Sequence, residues 1–151
     1  MDDKSLILEQ YKSLVDDVGN IGTRYATANG FYLSVLTALL GVLAYVGTGK
    51  DLDRTTYPMV ALVAVFAIAI CWIWSKTIEF YGKLFKGKFT VLKELGGQLA
   101  VNVYQREDDE VYGKGAKPLT EHEARVPLLL GGFFVIVAVL AVVLSFWYWL
   151  R

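Results

Sequence analysis

The sequence predicts an all-α membrane protein, a single domain over residues 1–151, with three transmembrane helices, the first two extended into a cytoplasmic helical hairpin. Three observations lead there. Apolar residues make up 55% of the 151, more than an ordinary soluble domain carries. That excess is concentrated in three runs with no charged residue, Asn29 to Val46, Tyr57 to Trp74 and Val126 to Leu150. The segments next to the first two runs carry apolar residues at heptad spacing.

The first two runs hold 18 residues each; as helix they reach ~27 Å, just enough for a hydrocarbon core of about 30 Å. The third holds 25 residues and would reach ~37 Å, so its aromatic end, Phe146, Trp147, Tyr148 and Trp149, is expected to sit in the headgroup layer. This divides the chain into a cytoplasmic helix (1–28), a first span (29–46), an outer loop (47–56), a second span (57–74), a cytoplasmic helical segment and loop (75–125) and a third span (126–150).

Orientation follows from where the cations lie. Three Lys and Arg precede the first run, two lie between the first and second, nine between the second and third, and one at the end. Three crossings put the N-terminus and the long middle segment on one side, with twelve cations against three. The positive-inside rule makes that side cytoplasmic and turns the C-terminus outward. Formal net charge is zero and gives no reason to expect a nucleic-acid partner. The first 28 residues carry five acids and lack the basic start and apolar core of a cleavable signal, so the first span is expected to act as the targeting segment. The single cysteine, Cys71, lies inside the second span and is expected to be a packed, inert thiol.

Ahead of the first span, Ile7, Tyr11, Leu14, Val18, Ile21 and Tyr25 recur at alternating steps of four and three, a heptad seam that continues into the membrane without changing phase. One helix from about Ser5 to Val46 is expected, with Gly19 and Gly22 as soft spots. After the second span the pattern returns at Ile78, Tyr81, Phe85, Lys88, Leu92, Leu95 and Leu99, interrupted by that one lysine. Burial of the two seams on each other and pairing between subunits both remain open. The outer loop, rich in Gly, Thr and Asp and followed by Pro58, turns the chain back. Between Ala100 and Leu119 helical periodicity fades, and the polar run Gln105 to Glu110 followed by Gly113, Gly115 and Pro118 predicts a solvated loop. Thr120 and Glu123 form a capping box that should start the helix feeding the third span, with Pro127 where a missing amide costs least.

Groupings that could carry chemistry are nearly absent. The only histidine, His122, is expected at the surface, and the acidic run Glu107 to Glu110 lacks the ligand spacing of a calcium loop. No catalytic residue, cofactor or metal site is predicted, and the chain is not expected to be an enzyme. The spans hold no titratable Asp, Glu, Lys, Arg or His, which argues against a carrier that works as a monomer. What they do carry is small residues. Gly30, Ser34 and Ala38, like Thr37 and Gly41, fall four apart on the first span, and Gly131, Gly132, Ala138 and Ala141 offer similar places on the third. Asn29, Ser34, Thr37, Ala38 and Gly41 are therefore the residues expected to face a neighbouring subunit or a central axis. For Ser34 and Thr37 the alternative is a hydrogen bond back to their own helix.

Tyr11-Lys12, Arg24, Ala28-Asn29, Phe31-Tyr32-Leu33-Ser34, Thr37-Ala38, Trp72 and Trp74, Lys88-Phe89 through Leu95, and Val126-Pro127, in this order and spacing, resemble the RipA family of octameric bacterial inner-membrane proteins. The layout is also similar to that of the SLATT-type membrane effectors of bacterial defence systems. The RipA resemblance implies a homo-octamer in the bacterial cytoplasmic membrane, in contact with lipids, tied to stress adaptation or host-associated growth, with no family catalytic residues. The likeness is least from Gln105 to Pro118. The function expected is a homo-oligomeric scaffold or sensor whose cytoplasmic helices engage a cytoplasmic protein partner. The alternative is an oligomeric channel or membrane-permeabilising effector gated from the cytoplasm.

Overall fold

The computed structural model describes residues 3–47, 55–99, 102–111 and 122–150. Among them there is no strand, and the ordered elements are α1 (Asp3–Gly47), α2 (Thr56–Gly96), α3 (Val103–Val111) and α4 (Arg125–Leu150). α1, α2 and α4 are each long and apolar enough to cross a membrane. With 45 and 41 residues, α1 and α2 reach ~67 and ~62 Å, about twice a hydrocarbon core, whereas α4 with 26 residues reaches ~39 Å. Residues 48–54 of the expected outer loop and the Thr120 half of the expected capping box lie outside the described residues. Pro127 sits in the first turn of α4, where its missing amide has no helical acceptor to lose.

Contacts divide the chain into two compact units. One combines Met1–Thr27 with Ile78–His122, the other Ala28–Thr77 with Glu123–Arg151. In the first unit the α1 and α2 segments run antiparallel, because their contacts advance in opposite directions. Tyr25 meets Tyr81 at 5.2 Å and Phe85 at 6.0 Å between ring centroids, and Lys88 Nζ donates to Asp17 Oδ2 two turns away along α1. Ile21, Ile78 and Leu92 are buried. Lys88, the residue that breaks the apolar spacing, remains compatible with it: its ammonium reaches a carboxylate while its side chain as a whole stays only 29% exposed.

α3 corrects the expectation of a loop over Gln105 to Glu110. The reason lies in Asn102, whose side chain caps two helices at once. Its Nδ2 donates to the Lys93 carbonyl at 2.9 Å, joining the Gly97 amide on that acceptor at the end of α2, while its Oδ1 accepts from the Gln105 amide at 3.1 Å and caps the start of α3. Gln105 Nε2 then donates to Asp109 Oδ1 one turn on. Gly96 makes room for this: a Cβ there would stand 2.6 Å from Asn102 Oδ1. The short helix docks through Tyr104, whose ring lies 6.2 Å from that of Tyr11 and 5.7 Å from that of Phe89. Loss of solvation, followed by the neighbouring Tyr104, pushes the Tyr11 phenol above its ordinary pKa.

In the second unit α2 and α4 also run antiparallel. Tyr57 pairs with Tyr148 at 5.7 Å at one end, and Gly131 lies against Cys71 further along. Leu36, Ala64, Ala67, Cys71, Phe134 and Ala141 form the buried core. Most other large apolar side chains stay outside, among them Leu129 at 76% and Trp149 at 71% exposure, as expected of helices solvated by lipid.

Two predictions follow from the docking of α3. Gly96→Ala should displace Asn102 and so match Asn102→Ala, each costing about 1 kcal/mol of local stability; hydrogen exchange at the Gln105 amide should speed up alike in both. Because the folded state favours the neutral Tyr11 phenol, its contribution is complete below pH ~10 and is lost as pH rises through the raised folded value. The thermal midpoint should therefore fall less steeply above pH ~10 in Tyr11→Phe than in the parent chain.

Candidate functional site

Within the second unit, polar side chains are few, and their bonds sort the residues of the first span into two faces. Trp74 Nε1 donates to Asn29 Oδ1 at 2.8 Å. One turn along α1, the Tyr32 hydroxyl and Thr77 Oγ1 are 3.1 Å apart, and the Tyr32 ring stacks on the Trp74 indole with centroids 6.1 Å apart and planes 18° from parallel. Thr77 Oγ1 also lies 3.0 Å from the Ile73 carbonyl, to which it donates. Asn29, Tyr32, Trp74 and Thr77 thus make a polar and aromatic clasp between α1 and α2. Its value is chiefly negative: without Asn29 the partly buried indole N–H would have no acceptor in an apolar layer.

This separates Asn29 from the other four residues grouped with it on sequence. Asn29 lies seven positions before Leu36, which is 1% exposed, so both fall on the packed side of α1. Ser34, Thr37, Ala38 and Gly41 are exposed on another side. There Ser34 Oγ donates to the Gly30 carbonyl and Thr37 Oγ1 to the Leu33 carbonyl, both at 2.8 Å. Each hydroxyl is absorbed by its own helix. A Cβ added at Gly30 or Gly41 would meet nothing within 4 Å. The face is therefore smooth, nearly apolar and shallow, the shape that lets another helix backbone come close.

The seam residues occupy the first unit. Ile7, Tyr11, Leu14, Val18 and Tyr25 are partly buried and Ile21 is buried, while on α2 Tyr81, Phe85 and Leu95 are partly buried and Leu92 is fully so. His122 is exposed. No group of three or more His, Cys, Asp or Glu able to hold a metal occurs among the described residues.

Sequence reasoning passed over Trp74 and Thr77 as partners of Asn29 and Tyr32, since nothing local links residues 45 positions apart. The role of Asn102 did have a signal: Asn102 followed by Gln105 is the spacing of an N-cap with a glutamine three positions on.

A family model described as the octameric membrane protein family (8xMP) matches residues 8–144, a range that takes in the clasp, the small-residue face, all of α2 and α3 and most of α1 and α4. No curated protein and no solved structure matches the chain.

The clasp predicts an asymmetric pair of mutants. Asn29→Leu should lower stability by about 1–3 kcal/mol by stranding the indole N–H, whereas Trp74→Phe in the Asn29→Leu background should cost little more. Denaturation in mixed micelles, run as a double-mutant cycle, measures the difference.

Proposed function

From the premise that the chain belongs to the octameric membrane protein family, we propose that this membrane protein works as a homo-oligomer of eight copies, as a scaffold or sensor and without catalysis. The observation that carries this reading is the small-residue face of α1, Gly30, Ser34, Thr37, Ala38 and Gly41, which stays exposed among the described residues of its unit. Its hydroxyls are already bonded, so a second copy can be received there without stranding a donor. Asn29 is assigned to the clasp and not to an axis.

The cation count favours a cytoplasmic location for the first unit and an outward C-terminus. On that reading the antiparallel segments with the docked α3 form the part presented to a cytoplasmic protein partner. The resemblance to RipA proteins adds the bacterial inner membrane as location, and stress adaptation or host-associated growth as the setting. A conducting ring ranks second. Ser34 and Thr37 turn their hydroxyls to their own backbone, which favours a packed wall over a wet one.

Native mass measurement from nanodiscs should give eight chains, and a strictly monomeric result would refute the proposal. Gly41→Val adds bulk where the single chain has free space, so the fold should survive while association weakens roughly tenfold, the effect of losing about 1–2 kcal/mol of helix packing.

A further inference from the structure

Between the last turns of α1, the first turns of α2 and the latter part of α4 lies a groove-like cavity of about 570 Å³, broadly open to the surface. Apart from Thr56 and Tyr57 its wall is made of apolar side chains, Leu43, Val46, Val60, Val137, Leu140 and Leu144 among them. We propose that this cavity holds one acyl chain of a membrane phospholipid. The inference rests on the placement of these helices in a bilayer and is independent of the number of copies in the oligomer.

Three observations select that occupant. Protein interiors are close-packed, and a space of this size filled by nothing would leave its whole lining without contacts. Water is a poor filler, because it needs two to four polar partners and the wall supplies almost none. Hydrocarbon is the surrounding medium: Leu140 and Leu144 of the lining are 55% and 44% exposed, so the cavity opens to the apolar surface the bilayer wets.

Depth agrees with this choice. Tyr57 belongs to the wall and pairs with Tyr148 at 5.7 Å, next to Trp147 and Trp149 at the end of α4. Aromatic residues of this kind mark the headgroup level, so the cavity starts where the ester-linked end of an acyl chain lies. The phospholipid would keep its headgroup beside the tyrosine pair and extend one chain down between the helices.

The test uses the full chain reconstituted in vesicles containing phosphatidylethanolamine with a diazirine-bearing acyl chain. After illumination, label is expected on α4 peptides containing Val137 to Leu144 and on the α1 peptide ending at Val46, and excess unlabelled phospholipid should compete it away. Val137→Phe and Ala44→Phe fill the cavity from different helices; each should cut specific labelling at least fivefold while leaving helicity and native mass unchanged. Uncompeted labelling spread evenly over all three spans would overturn the proposal, as would labelling that survives both substitutions. Disassembly of the oligomer by both filling variants would also overturn it, since the cavity would then be receiving a second copy. Vesicle flotation and native mass, read on the same samples, distinguish these failures from a failure of membrane placement or of self-association.

Discussion

In hydrocarbon every polar group must find its partner on the protein, and in this chain that condition falls on a handful of side chains. Ser34 and Thr37 meet it by turning back on α1, Thr77 by turning back on α2, and Asn29 and Trp74 by meeting each other. Among the described residues no buried side-chain nitrogen or oxygen lacks a partner. The consequences are structural before they are functional. With the polar groups used up, the Asn29–Trp74 bond fixes the register of α1 against α2 within the membrane unit, and the rest of α1 is left smooth. The self-association assigned to that face thus depends on hydrogen bonds made elsewhere.

Length imposes a second condition. A helix of 45 residues and one of 41 cannot both be consumed by a bilayer, and the unit built from Met1–Thr27 and Ile78–His122 is where their remainder packs. It packs by different rules. Aromatic rings take the place of small residues, Tyr25 against Tyr81 and Phe85, Tyr104 against Tyr11 and Phe89. In contact with water, burying such rings is favourable in a way it is not in lipid.

Most of this was readable from the residues for a simple reason. Whether a segment dissolves in lipid is a local property, so the uncharged runs located the end of α1 (Val46 against Gly47), the start of α2 (Tyr57 against Thr56) and both ends of α4 (Val126 to Leu150 against Arg125–Leu150). Heptad spacing is local too, and Ile21, Ile78 and Leu92 lie buried in the phase it suggests. What escaped was pairwise. That Asn29 belongs with Trp74, or Lys88 with Asp17, depends on how two helices are brought side by side, and no single-strand pattern contains that. α3 escaped for another cause: a run of acids reads as solvated, and Glu107, Asp109 and Glu110 are exposed, but exposure does not exclude helix, and the cap at Asn102 stands three residues before Gln105.

The double duty of Asn102 gives that position an unusual sensitivity to a change of one atom. Deamidation would replace the amide NH2 by a carboxylate oxygen with almost no change in shape. At the start of α3 the new charge would be welcome, since it faces the positive end of a helix dipole and still accepts from the Gln105 amide. At the end of α2 it would be repelled, because the side chain's donor to the Lys93 carbonyl is gone and a negative charge now faces a negative helix terminus. A single aged side chain would tighten the start of one helix and loosen the end of the other.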